Sequence, residues 1–329
     1  MVEDRINWID MAKGYGILGV IIGHISTPGI TVWIYTFHIP LFFFMSGFLF
    51  NTNYSLVVFL NRKIKAFLIP YFCLAILIVF HELLFNRGFC WGGIELYEEI
   101  VKVIVQERYS PLWFIASLFW ANFLYYIINK IIEGYLIKTV LVIILLSFSI
   151  IFWKSGGCSM PWNIDITFFI LPFILIGNYL HANKGLYELI ISRRWVMFLF
   201  LIGNVAIGGV NYHLTGRKID LFFADVDIIP LTYLSAFLGI FFLIIVSHVK
   251  TYRIICYIGR NSLLIFAWLL IVYNWLGRLY DYLGIFQTPL PLYMIIVRDF
   301  MSLFFILLIL IPINEMILHS RFKFVLGRG

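Results

Sequence analysis

The fold is decided by an apolar segment near the start of the chain, where residues 8–26 read WIDMAKGYGILGVIIGHIS. The segment is long enough to cross a bilayer as one helix, yet it carries Asp10, Lys13 and His24. Ionisable groups are unfavourable in hydrocarbon, so they persist mainly where they do chemistry or line a wet cavity. We interpret this segment as a functional core that faces the interior of a membrane protein.

The composition of the whole chain supports a membrane protein. Of 329 residues, 62% are hydrophobic and only 12% are charged, which lies far outside the range of ordinary soluble domains. Apolar runs of about 20 residues recur from end to end, and the alternating segments of a membrane barrel are absent. We predict an all-α integral membrane protein, a bundle of about ten transmembrane helices. The predicted spans cover about residues 8–26, 32–50, 65–86, 111–129, 137–153, 164–181, 195–213, 228–247, 262–280 and 292–316.

Basic residues predict the orientation of these spans. With the N-terminus inside, the cytoplasmic segments hold 16 of the 24 lysines and arginines, as the positive-inside rule requires. We predict a multi-pass protein of the cell inner (cytoplasmic) membrane with both termini and residues 51–64 cytoplasmic, and with loops 87–110 and 214–227 outside. The net charge of +7 follows this bias and does not indicate nucleic acid. No cleavage pattern follows the first apolar run, so we expect no cleaved signal peptide.

The chain is predicted to form a single multi-pass transmembrane domain over residues 1–329, because neither linker nor repeat interrupts it. The outer loop 87–110 is predicted to contain an amphipathic surface helix. Cys90 and Cys158 both fall outside and would form a disulfide if that face is oxidising, with four unpaired thiols as the alternative. No Cys/His cluster is visible, and no metal is expected.

The polar residues of the first two spans are predicted to lie together. His24 lies eleven positions after Lys13, which is about three helical turns and roughly 16 Å, so both lie on one helix face. The second span contains Phe37-His38-Ile39-Pro40 after a short turn. His24 and His38 are therefore predicted at similar depth on adjacent antiparallel helices. Pro40 lacks a backbone donor and can leave a carbonyl available for a polar ligand.

Several motifs in this order resemble the acyltransferase-3 family of multi-pass membrane acyl-CoA transferases, in particular its fucose 4-O-acetylase-like and polysaccharide O-acetyltransferase branch. The motifs are Trp8-Ile9-Asp10-Met11-Ala12-Lys13-Gly14, the Lys13 and His24 pair, FHIPLFFFMSG at 37–47, Arg62-Lys63-Ile64-Lys65 before Pro70-Tyr71, Pro111-Leu112-Trp113-Phe114 and Gly259-Arg260-Asn261-Ser262-Leu263. The chain departs from the family at Lys65, where arginine is common, and at Ala267-Trp268-Leu269, where a histidine often follows.

The resemblance implies an O-acyltransferase that moves an acyl group, acetyl in this branch, from cytosolic acyl-CoA to a hydroxyl of a cell-surface polysaccharide or its lipid-linked precursor. His24 is the expected general base, with Lys13 and Asp10 as further catalytic residues. The expected acetyl-CoA-binding residues are Arg62, Lys65 and Trp113, because basic side chains suit the phosphates of the donor. His38 is expected to bind substrate.

Each of these residues also has a structural interpretation, and the sequence leaves both open. His24 and His38 could be buried rings bonded to the backbone, and Lys13 could reach the interface. Asp10 could pair with Lys13 or cap its helix. Arg62 and Lys65 could be topology signals, and Trp113 an interfacial aromatic. The alternative function is a polytopic transporter or flippase, since ionisable residues inside a bundle also form substrate pathways. The oligomeric state, the acyl group and the acceptor sugar are left open.

Overall fold

A computed structural model describes residues 7–86, 93–106, 108, 111–286 and 290–327 of the chain. It is 82% helical, and the described residues contain no strand, only an isolated bridge between Asp220 and Asp225. The predicted all-α fold is confirmed. The helices are α1 (Asn7–Ile25), α2 (Pro28–Tyr35), α3 (His38–Phe48), α4 (Leu56–Lys63), α5 (Ile69–His81), α6 (Gly93–Val105), α7 (Trp113–Ile131), α8 (Tyr135–Lys154), α9 (Ile164–Ala182), α10 (Lys184–Ser192), α11 (Val196–Thr215), α12 (Ile229–Val249), α13 (Arg253–Arg260), α14 (Ser262–Tyr282) and α15 (Leu292–Leu318).

Nine of the predicted ten spans coincide with helices that are long and apolar enough to cross a membrane. Within the described residues these are Pro28–Phe48, Leu56–His81, Trp113–Ile131, Tyr135–Lys154, Pro161–Ala182, Val196–Thr215, Ile229–Val249, Ser262–Tyr282 and Leu292–Leu318. The predicted first span is the 19-residue helix α1, which is not among the nine because Asp10, Lys13 and His24 lower its hydropathy. The protein is therefore a multi-pass membrane protein, and the membrane placement of α1 stays a prediction.

One predicted span contains a break, and one predicted boundary is wrong. The second span is not one continuous helix, because the chain breaks between α2 and α3 at Thr36 and Phe37. Pro40 accounts for the break, since it has no N–H for the Thr36 carbonyl and its ring would clash with that carbonyl in an unbroken helix. The helix of the third span begins at Leu56 rather than at residue 65, and a π-helical turn over Ile64–Leu68 joins α4 to α5. Basic residues in α4 suggested a loop, but long basic side chains are also tolerated at a helix end.

The described residues fall into two compact units. The first unit comprises those of Met1–Met45 and Ala182–Met316, and the second those of Ser46–His181 and Ile317–Gly329. Because one membrane domain can contain more than one compact unit, the single domain over residues 1–329 stays a prediction.

Close backbone contact between α1 and α13 holds part of the first unit together. A Cβ atom added at Gly14 would lie 2.2 Å from the Ile255 carbonyl oxygen, and one at Gly259 would lie 2.0 Å from the Asp10 carbonyl oxygen. Any larger residue at either position would push the two helices apart. Small residues at such contacts are typical of membrane helix pairs.

Buried Asn204 joins three helices of the first unit. Its Oδ1 accepts a hydrogen bond from Trp33 Nε1 (2.6 Å), and its Nδ2 donates to Ser235 O (2.7 Å) and to Thr36 Oγ1 (2.9 Å). Asn204 lies on α11, Trp33 on α2 and Ser235 on α12. Because a buried amide without partners is unfavourable, these bonds fix how the three helices pack.

In the second unit, Asp165 on α9 is fully buried and anchors the surrounding segments. Its Oδ2 accepts from Arg108 Nη2 (2.7 Å) and from Trp153 Nε1 (2.7 Å). The predicted amphipathic helix is present as α6, and the Tyr71 hydroxyl donates to the Val103 carbonyl of that helix at 2.6 Å. Cys158 is exposed. Cys90 lies outside the described residues, so the predicted alternatives for Cys90 and Cys158 both stand.

Candidate active site

His24 lies in the last turn of α1, and its ring is fixed by the backbone of its own helix. Nδ1 lies 2.8 Å from the carbonyl oxygen of Val20. Because a carbonyl only accepts hydrogen bonds, Nδ1 carries the proton of the neutral ring. The lone pair of Nε2 is therefore the basic site of His24, and the backbone bond sets its direction.

His38 begins α3, directly after the break at Thr36 and Phe37, and has the same arrangement. Its Nδ1 lies 2.9 Å from the Ile34 carbonyl oxygen, and the side chain is buried. The tautomer argument applies again, so the proton of neutral His38 is on Nδ1 and its basic atom is Nε2. The backbone bond that the structural interpretation predicted is present in both histidines, and in both it leaves Nε2 outside that bond.

Tyr35 brings the two histidines together. Its ring centroid lies 5.9 Å from that of His24 and 4.8 Å from that of His38. Gly23 allows α1 to approach, since an added Cβ would lie 3.2 Å from Tyr35 Cε2. His24 and His38 therefore both contact one tyrosine ring, while their similar depth in the membrane on antiparallel helices stays a prediction. We refer to His24, Tyr35 and His38 as the histidine cluster.

The loop between α11 and α12 adds a cation and a carboxylate to this cluster. Lys218 Nζ lies 3.7 Å from the centroid of the Tyr35 ring, a cation–π distance, and 3.3 Å from Asp220 Oδ2. Both residues lie in the loop 214–227, which the sequence predicts to lie outside. Opposite charges two positions apart are ordinary in exposed loops, so the local sequence holds no signal for their place beside Tyr35.

Lys13 and Asp10 lie toward the other end of α1. Since α1 is one continuous helix, Lys13 and His24 are about three turns apart, as predicted. Asp10 is buried and its Oδ2 lies 3.0 Å from Arg260 Nε of α13. This ion pair links α1 to α13. Asp10 also lies in the first turn of α1, where a carboxylate favours the helix N-terminus, and its pairing with Lys13 stays a prediction. Lys13 is half-buried. The structure therefore does not bring Asp10 and Lys13 to the histidine cluster.

The basic segment, which we define as Arg62, Lys63 and Lys65, has two exposed side chains and one anchored side chain. Arg62 and Lys65 are exposed, and the Arg62 guanidinium lies 4.4 Å from the centroid of the Tyr54 ring. Lys63 instead donates to Asn122 Oδ1 at 2.8 Å. The pattern of three clustered bases thus separates into two side chains available to a ligand and one that ties α4 to α7.

Trp113 is buried at the start of α7. Asn122, the α7 residue that contacts Lys63, lies nine positions further along the helix, which is roughly 13 Å at 1.5 Å per residue. The Trp113 carbonyl accepts hydrogen bonds from Ser117 Oγ (2.9 Å) and Asn163 Nδ2 (3.4 Å). These bonds belong to a packed helix start, and the grouping of Trp113 with Arg62 and Lys65 at a donor site stays a prediction.

The histidine cluster can perform general base chemistry. An imidazole held in one tautomer, with Nε2 outside the backbone bond, can accept a proton from a hydroxyl. The neighbouring Lys218 supplies positive charge and N–H donors for an oxygen-rich ligand.

Comparison with family models matches residues 6–314 to the acyltransferase-3 model, which is described as an acyltransferase domain. Comparisons with curated proteins and with solved structures gave no match.

Proposed function

Because the chain belongs to the acyltransferase-3 family, we propose that it is a membrane O-acyltransferase that transfers acetyl from cytosolic acetyl-CoA to a hydroxyl of a cell-surface polysaccharide or its lipid-linked precursor. Family membership makes the protein a membrane acyltransferase. The acetyl group, the acyl-CoA donor, the glycan acceptor and the inner-membrane location are the parts that we add.

The observation that carries the proposal is the fixed tautomer of His24. Its Nδ1 donates to the Val20 carbonyl, so Nε2 can take the proton of the acceptor hydroxyl. The hydroxyl oxygen then forms a bond to the thioester carbonyl carbon, and the carbon–sulfur bond breaks. The leaving thiolate of coenzyme A takes the proton from Nε2, which restores neutral His24. His38 contributes to acceptor binding in this proposal, since Tyr35 holds it beside His24.

We assign the donor to the basic segment. Arg62 and Lys65 are exposed, and phosphate groups of acyl-CoA form charge-assisted hydrogen bonds with such side chains. Lys13 is proposed to serve the donor at its thioester or at a phosphate, and the three turns between Lys13 and His24 favour the phosphate. Asp10 positions Lys13 through α1, which its ion pair with Arg260 ties to α13. Trp113 remains a proposed donor contact, although its burial favours a packing role.

The proposed function is tested with purified full-length protein in micelles, acetyl-CoA labelled in the acetyl group, and cell-envelope glycan. Label is expected to enter the glycan only when all three components are present. Mass spectrometry of the product then gives the acyl group and the sugar position together, and succinyl-CoA serves as the competing donor. Glycan transport across vesicles without incorporation of label would contradict the proposal and favour the transporter alternative.

A further inference from the structure

We propose that Lys218 and Asp220 form an acceptor-binding site beside His24, in which Lys218 donates to one hydroxyl of a polyhydroxylated acceptor and Asp220 accepts from a neighbouring hydroxyl. This inference rests on the proposed function and adds to it two substrate-binding residues from the loop between α11 and α12.

The loop holds both side chains in place. Asp220 and Asp225 exchange two backbone hydrogen bonds, of 3.1 Å and 2.9 Å, so the loop is closed as a small hairpin. Asp220 Oδ1 accepts from the Phe222 amide at 3.0 Å, while its Oδ2 lies 3.3 Å from Lys218 Nζ. Ile219, which lies between Lys218 and Asp220 in the sequence, is buried. Because the loop is anchored in these ways, its charges have defined positions before a ligand arrives.

Lys218 is held but still accessible. Its ammonium group has three N–H donors. The group contacts the Asp220 carboxylate and the face of the Tyr35 ring. The side chain of Lys218 is 38% exposed, and that of Asp220 is 10% exposed. A donor and an acceptor 3.3 Å apart match two adjacent hydroxyl groups of a sugar, because each hydroxyl both donates and accepts.

The position of Lys218 and Asp220 favours binding of the glycan acceptor over binding of acetyl-CoA. Tyr35 contacts Lys218 on one side and the two histidine rings on others, so a ligand bound to Lys218 lies near the proposed base. The loop 214–227 is predicted to lie outside, where a surface glycan is found. A second ion pair lies at the same end of α1. Arg298 Nη2 lies 2.8 Å from Asp299 Oδ1 and donates to the Ile25 carbonyl oxygen at 3.5 Å. Two such pairs around one helix end suit a ligand rich in hydroxyl groups.

The test compares three variants of the full chain in the incorporation assay with labelled acetyl-CoA and titrated cell-envelope glycan. Lys218→Met is expected to raise the apparent KM for glycan about 10-fold or more, the scale of losing a hydrogen bond to a charged group, with turnover at saturating glycan and the KM for acetyl-CoA changed less than about 3-fold. Lys218→Arg keeps the charge and is expected to restore most of the affinity. Arg217→Met is the matched control, because the Arg217 side chain is 65% exposed and pairs with Asp225 of the same loop.

Different failures are distinguishable. If the wild-type protein incorporates no label, the proposed function fails. If it does, but Lys218→Met lowers turnover and leaves the KM for glycan unchanged, Lys218 supports the structure or the transition state and the acceptor-binding inference is overturned. An equal rise in KM for Arg217→Met would also overturn it, since general loop charge would then explain the effect. If Lys218→Met does not fold, Lys218→Gln, which can still bond to Asp220, is expected to show the same rise in KM, and an unchanged KM overturns the inference.

Discussion

The histidine cluster and the basic segment both place polar groups in an apolar chain, but they hold them in different ways. In the cluster, the rings of His24 and His38 are each fixed by a carbonyl one turn earlier. In the basic segment, Arg62 and Lys65 are exposed, whereas Lys63 is tied to Asn122 by a hydrogen bond. A fixed nitrogen suits a proton transfer that needs defined geometry, whereas exposed cations suit a flexible phosphate ligand. The contrast predicts that one region controls turnover and the other controls donor affinity.

The largest expected effect is an all-or-none difference in labelling. In a cysteine-free background, we expect Arg217→Cys to react with an impermeant maleimide added to intact cells, and Arg62→Cys to react only after the membrane is permeabilised. The reason is that the positive-inside bias predicts residues 51–64 in the cytoplasm and 214–227 outside. Labelling of Arg62→Cys in intact cells would reverse the predicted orientation.

His24 variants are expected to lose at least about 100-fold in turnover, the usual scale for a positioned base. His24→Ala removes the ring, and His24→Gln keeps a side-chain donor for the Val20 carbonyl but has no basic nitrogen. Both are expected to leave the KM for acetyl-CoA within about 3-fold. Initial rates of acetyl incorporation provide the measurement, with His213→Gln as control because His213 is an exposed residue of α11. Near-wild-type turnover in His24→Gln would make His24 structural and refute the mechanism.

Arg62→Ala is expected to act on affinity rather than on turnover. The KM for acetyl-CoA should rise about 10-fold, while turnover at saturating donor changes less than about 3-fold, because a phosphate contact is equally strong in the ground and transition states. Arg62→Lys should give an intermediate KM, since it keeps the charge and loses the bidentate fork. Steady-state kinetics with varied acetyl-CoA measures both values. A fall in turnover with unchanged KM would remove the proposed distinction between the two regions.

The smallest expected effect separates Lys63 from its neighbour Lys65. Lys63→Met should lower the free energy of unfolding by about 1–2 kcal/mol, because it removes the hydrogen bond to Asn122 and a cation lying 5.3 Å from the Phe67 ring centroid. Lys65→Met, at an exposed position, should change it by less than about 0.5 kcal/mol. Chemical denaturation in micelles measures this.

The KM for acetyl-CoA is expected to rank the two lysine variants in the opposite order to their loss of stability. Lys65→Met is expected to raise the KM for acetyl-CoA more than Lys63→Met does, because Lys65 is the proposed phosphate contact. Equal stability losses in both variants would show that the basic segment is not divided into an anchored and an exposed part.

Most of the span pattern could be predicted from the sequence, because hydropathy is a local property of about 20 residues. The proximity of His24 and His38 was also predictable, since only a short turn separates their segments. The helix break at Thr36 and Phe37 could also have been predicted, because a proline disturbs a helix at the residue four positions earlier, and Pro40 is present here. The early helix start at Leu56 was missed, since basic residues mark both loops and helix ends.

The sequence by itself determined the helical membrane class, the family motifs and the position of the ionisable residues along α1. Only the tertiary structure decided their partners, because a side chain's partner depends on how segments distant in sequence pack. Asp10 pairs with Arg260, 250 positions away, where glycines let two helices touch. Lys218 contacts the face of the Tyr35 ring because the loop closed by the Asp220–Asp225 bridge places it beside that ring. Neither contact has a signal in its own stretch of sequence, since a charged residue is compatible with many partners until packing selects one.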